Sequence, residues 1–65
     1  MNNLGILETK GNIRLEKIID GIGFTSYCVG RQYNRIQFCK YEDAKRFFDS
    51  YNLNLSLNEN YELFK

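Results

Sequence analysis

Phe24-Thr25-Ser26-Tyr27-Cys28-Val29, then Arg35-Ile36-Gln37-Phe38-Cys39-Lys40, then Ala44, Phe47, Phe48 and Tyr51 decide the reading of this chain. Across residues 24–52 the apolar period changes from two to about three and a half. Alternation places successive side chains on opposite faces of a strand, whereas i, i+3, i+4, i+7 spacing is one face of a helix. The stretch predicts a β-hairpin followed by a helix, and with it an α+β fold.

The register of the hairpin follows from keeping one face clean. A loop at Arg31-Gln32-Tyr33-Asn34 sets Val29 opposite Ile36 and Tyr27 opposite Phe38. One face is then apolar throughout, and Ser26, Cys28, Gln37 and Cys39 take the other. A shorter loop at Tyr33-Asn34 pairs Cys28 with Cys39 but sets Arg31 against Ile36, so the first register is preferred.

The helix is expected over about 42–52, beginning at Tyr41 or Glu42. Glu42 and Asp43 sit in its first turn, where acids favour the positive end of the helix dipole. Asn52 is expected as a left-handed cap, with Leu53 folding back behind it. The aromatic stripe should pack on the apolar face of the hairpin.

Upstream, Leu4-Gly5-Ile6-Leu7-Glu8-Thr9 reads as a first strand and Lys10-Gly11-Asn12 as a turn. Ile13-Arg14-Leu15-Glu16-Lys17-Ile18-Ile19 alternates, with Ile13, Leu15 and Ile19 on one face. A short helix over 13–19 competes, but the turn and the β-branched residues favour a strand. Asp20-Gly21-Ile22-Gly23 is a tight bend. It is a poor phosphate loop, since no third Gly and no Lys-Ser or Lys-Thr pair follows. The sheet is therefore expected to be antiparallel with three or four strands, backed by one main helix.

Downstream, Leu53, Leu55 and Leu57 alternate like a strand, while Ser56-Leu57-Asn58-Glu59 is a capping-box pattern. Leu57, Tyr61 and Phe64 then share a helical face, which favours a short helix at 57–64.

Sixty-five residues are expected to form a single domain, residues 1–65. A chain of this size buries only ~60% of its unfolded surface, so its core is marginal and a partner or a homodimer would add to it. Net charge is +1, which gives no global argument for nucleic acid or membrane. No apolar run is long enough to cross a membrane. Met1-Asn2-Asn3-Leu4 lacks the layout of a signal peptide, so a cytoplasmic location is expected. Eight Asn, no Pro and no Trp resemble the translation of an AT-rich genome, the style of small phage and mobile-element proteins.

Chemistry is sparse. There is no His, and Cys28 and Cys39 are the only thiols, too few for a zinc site within one chain. Neither thiol has an adjacent base by sequence, and small side chains on a sheet face are the simpler reading. Glu42 and Asp43 are neighbours on a helix and point about 100° apart, which suits dipole compensation better than a shared proton. No catalytic, metal or cofactor role is expected.

Binding remains. Arg31, Tyr33 and Arg35 are expected together at the hairpin tip, and Tyr and Arg are enriched at interface hot spots. The strands at Ile13–Ile19 or Phe24–Val29 are expected to offer an unpaired edge to a partner. A protein-binding role is favoured, in its most concrete form an inhibitor that occludes a host protein such as a defence factor. The alternative is a nucleic-acid-binding regulator using Arg31, Arg35, Lys40, Lys45 and Arg46 with aromatics interleaved. Glu42, Asp43 and Asp49 dilute that patch.

Overall fold

Antiparallel pairing in chain order, β1-β2-β3-β4, organises residues 5–65, which the computed structural model describes. The strands are β1 (Ile6–Lys10), β2 (Ile13–Ile19), β3 (Thr25–Gly30) and β4 (Arg35–Phe38). Helices α1 (Tyr41–Ser50) and α2 (Leu57–Phe64) follow. The fold is α+β, with four strands and a helix at the C-terminus. Leu4, expected to open the first strand, lies outside the described residues, as does the rest of Met1–Leu4.

The expected hairpin register holds. Tyr27 pairs with Phe38, Val29 with Ile36 and Gly30 with Arg35, leaving Arg31–Asn34 as the loop. The first hairpin turns on Gly11 and Asn12 alone, because Lys10 pairs with Ile13. Gly11 takes φ 58°, the left-handed value that a two-residue hairpin loop needs. Residues 13–19 form a strand and not a helix, paired along their length with β3. The bend between them is fixed by Asp20, whose Oδ1 accepts from the backbone N–H of Ile22 (3.0 Å) and Phe24 (2.9 Å).

One expectation about the sheet is corrected. Ile13–Ile19 and Phe24–Val29 are not edges, since β2 and β3 are the central strands and the edges are β1 and β4. Ile19 shares the face of Ile13 and Leu15, as expected, but is 61% exposed and lies beyond the core cluster.

One side of the sheet carries Ile13, Leu15, Tyr27, Val29, Ile36 and Phe38, and both helices lie there. Ala44, Phe47 and Phe48 of α1 are buried against it. Phe47 is the hub, with the rings of Phe64, Phe38, Tyr51 and Tyr61 at 5.2, 5.5, 5.7 and 6.1 Å. Such offset and edge-to-face pairs contribute about 0.5–1.5 kcal/mol each beyond simple burial.

The end of α1 departs from expectation. The helix stops at Ser50 and Tyr51 is extended (φ −63°, ψ 128°), so Asn52 is no left-handed cap. The cause lies far away in sequence. Lys10 Nζ donates to the carbonyls of Phe48 (2.8 Å), Asp49 (3.1 Å) and Tyr51 (3.4 Å), supplying the cap itself. Leu53 does not fold back on the helix but lies over Gly11, where an added Cβ would meet its Cδ1 at 2.9 Å.

Helix α2 begins with the expected capping box. Ser56 Oγ accepts from Glu59 N (3.1 Å), and Ser56 N donates to Glu59 Oε1 (2.9 Å). Leu57, Tyr61 and Phe64 face the core. No helix among the described residues is long and apolar enough to cross a membrane.

Candidate interaction site at the hairpin tip

The loop between β3 and β4 is built on Gly30. Its φ of 142° is closed to side-chain-bearing residues, and a Cβ there would meet Asn34 O at 2.5 Å and Arg35 Cα at 2.7 Å. Across the loop, Arg31 N donates to Asn34 O at 3.0 Å. Tyr33 stands at the apex, 91% exposed, its hydroxyl accepting from Gln32 Nε2 at 3.2 Å. Arg31 leans toward α2 and lines a small hollow of about 200 Å³ with Asn34, Tyr51, Leu55, Ser56 and Leu57.

Arg35, grouped with these two by sequence, is placed elsewhere. As the first residue of β4 it projects onto the sheet side that carries no helix. There its Nη1 donates to Glu16 Oε1 at 2.8 Å. Arg14 approaches the other carboxylate oxygen, so two guanidinium groups flank one buried acid. Arg31 and Tyr33 thus share the tip, while Arg35 belongs to an ion cluster on the open face. The cross-strand partner of Arg35, two strands away, has no signature in the local sequence.

The other basic residues are dispersed. Lys45 on α1 bonds Glu8 (2.6 Å) and Asp49 (3.1 Å) on the helix side of the sheet. Those hydrogen bonds to Glu8 and then Asp49 raise its pKa above the usual lysine value. Arg46 pairs with Asp43 at 3.6 Å and lies over the ring of Phe64, 4.9 Å from its centre. Arg31 and Lys40 have no ion-pair partner among the described residues. Arg35 and Lys45 point to opposite sides of the sheet, so the five cations do not form one stripe.

The thiols differ. Cys28 is buried on the helix-free side, paired across strands with Glu16 and Gln37. Burial pushes its pKa up; Arg35 pulls it down and Glu16 adds to the rise. Cys39 is exposed. No group of three or more Cys, Asp or Glu side chains suited to a metal ion occurs among the described residues.

Sequence reasoning missed a second surface. The outer side of α2 carries a shallow depression of about 420 Å³ lined by Leu55, Asn58, Glu59, Glu62 and Leu63. The signal was the i, i+3, i+4, i+7, i+8 spacing of these residues, opposite the core stripe. No protein-family model matches this chain, no curated protein is similar to it, and no solved structure matches it.

Proposed function

We propose that this chain is a non-enzymatic, cytoplasmic protein-binding protein that acts by occluding a surface on its partner. The observation that carries this reading is Tyr33, almost fully exposed on a loop whose backbone is pinned at both ends. An aromatic side chain with a polar tip supplies large contact area for little ordering cost. A loop already held in shape loses little more entropy on binding. Arg31 adds a cation beside it with no ion-pair partner among the described residues.

The partner fits as a host protein, and the chain as a phage or mobile-element inhibitor of a defence factor. Small size and AT-rich-type composition support that version. Dispersal of Arg35, Lys45 and Arg46 into separate ion pairs weighs against a continuous phosphate track.

The test is retention of proteins from host lysate by the tagged chain and by its Tyr33→Ala and Lys45→Ala variants, with and without nuclease. One stoichiometric protein held by the original chain and by Lys45→Ala, and lost from Tyr33→Ala, supports the reading. Recovery that vanishes with nuclease and falls steeply with salt overturns it in favour of nucleic acid.

A further inference from the structure

We infer that the hairpin tip has a counterpart on the same chain, and that two copies pair reciprocally. Arg31 and Tyr33 of each protomer seat in the depression along the outer side of α2 in the other. This rests on the reading of the tip as a contact surface and commits to a second copy as its occupant in the free chain, a copy that a host partner must displace to reach Tyr33.

The depression has the chemistry to receive the tip. Leu55 and Leu63 give it apolar ground, and Leu63 is 76% exposed. A single exposed leucine is ordinary. Here, however, two leucines lie in one concavity whose remaining lining includes Glu59 and Glu62. Within the lining the charges are these two acids, although Glu62 also meets Lys65 at 3.4 Å and Glu59 caps its own helix through Ser56 N, whereas the tip carries Arg31 and an exposed aromatic ring. An apolar seat with carboxylates suits an aromatic with a cation, so polarity and charge are complementary.

The position of the two surfaces favours a closed pair. Leu55 lines both the α2 depression and the small hollow beneath Arg31 and Asn34. Tip and seat are therefore neighbours on one molecule. A two-fold axis passing near Leu55 brings each tip to the other's seat at the same time. Were tip and seat on opposite ends, the same contact would propagate into a filament. Pairing also suits a chain whose own core is small, because it withdraws Leu55, Leu63 and Tyr33 from water together.

The test is sedimentation equilibrium of the full chain over a concentration series, with Arg31→Glu, Glu62→Arg and the variant carrying both changes. Both residues are exposed, so folding is checked simply by circular dichroism. A reciprocal dimer predicts that each single reversal raises the dimer Kd about tenfold or more, by juxtaposing like charges. The double variant restores the attraction across both contacts and returns to within about threefold of the original. Tyr33→Ala weakens the dimer as well. A chain that stays monomeric overturns the inference, as does a dimer indifferent to both reversals or unrestored in the double variant. A monomer that still retains a host protein through Tyr33 sinks the dimer alone. A dimer with the predicted charge response that retains no protein sinks the occlusion reading alone.

Discussion

Asn60 holds Asn52 by both edges of its amide: Oδ1 accepts from Asn52 N at 2.7 Å, and Nδ2 donates to Asn52 O at 3.0 Å. The same Nδ2 also reaches Leu55 O (3.3 Å) and Ser56 O (2.8 Å). One buried side chain thus satisfies the backbone of the loop that leads into its own helix.

Replacing Asn60 with Ala leaves Asn52 N and Leu55 O without these partners, while Asn52 O keeps Leu55 N and Ser56 O keeps the backbone N–H of residue 60. An unsatisfied buried donor or acceptor costs about 1–3 kcal/mol, and Asn60→Ala is expected to lose about 2–3 kcal/mol. Asn60→Asp keeps the acceptor but turns a carboxylate toward three carbonyl oxygens, so it is expected to be no better. Urea unfolding monitored by circular dichroism measures both. A midpoint unchanged in either variant would show that the amide is dispensable.

Lys10 is expected to act at a distance. Lys10→Met keeps the aliphatic stem but removes the donor to the carbonyls of Phe48, Asp49 and Tyr51, leaving Phe48 O with the Tyr51 N–H alone. Hydrogen bonds from a charged donor favour a loss of about 1–2 kcal/mol, allowing for partial exposure. The measurement is the thermal midpoint, with hydrogen exchange of the amides in the last turn of α1. Faster exchange there, ahead of the sheet, is the specific signature.

Gly30→Ala tests the tip directly. At φ 142° with backbone atoms 2.5–2.7 Å from the new Cβ, the loop must shift. The expected cost is about 1–3 kcal/mol of stability. Partner retention through Tyr33 should fall further than stability alone accounts for, since the loop is no longer held in one shape. Equal retention by Gly30→Ala and the original chain, both fully folded, would remove preorganisation from the account.

Cys28 sets an alkaline limit. Its folded pKa lies above the ordinary value of 9.0, chiefly through burial. A raised pKa means that the neutral thiol is favoured in the folded state. The contribution is complete below the unfolded pKa and is lost as pH rises through the folded one. Stability is therefore expected to fall above about pH 9, and Cys28→Ser should flatten that slope. A thiol reagent should modify Cys39 quickly and Cys28 only as the chain opens.

What could be read from the residues follows the range of the interactions involved. The β3–β4 register was legible because only one pairing kept Tyr27, Val29, Ile36 and Phe38 on one face. The capping box at Ser56 and Glu59 was legible because it is local. The end of α1 was not, because its cap comes from Lys10, nearly forty residues upstream. Arg35 was misplaced with the tip for the same reason, as its partner Glu16 sits on another strand. The site was half legible. Tyr33 and Arg31 follow from loop position, while the α2 depression needed its spacing to be read for two faces instead of one.

Because every strand pairs with its neighbour in sequence, the sheet asks for only short loop closures. Chains dominated by such contacts fold quickly. During synthesis, all strand partners have emerged once Phe38 is free, yet the apolar side still lacks Phe47, Tyr61 and Phe64. Hairpins can form early, but a lasting native state must wait for the final helices. Residues 41–64 therefore act as a closing step: until α1 and α2 dock, the sheet's apolar side stays open to water.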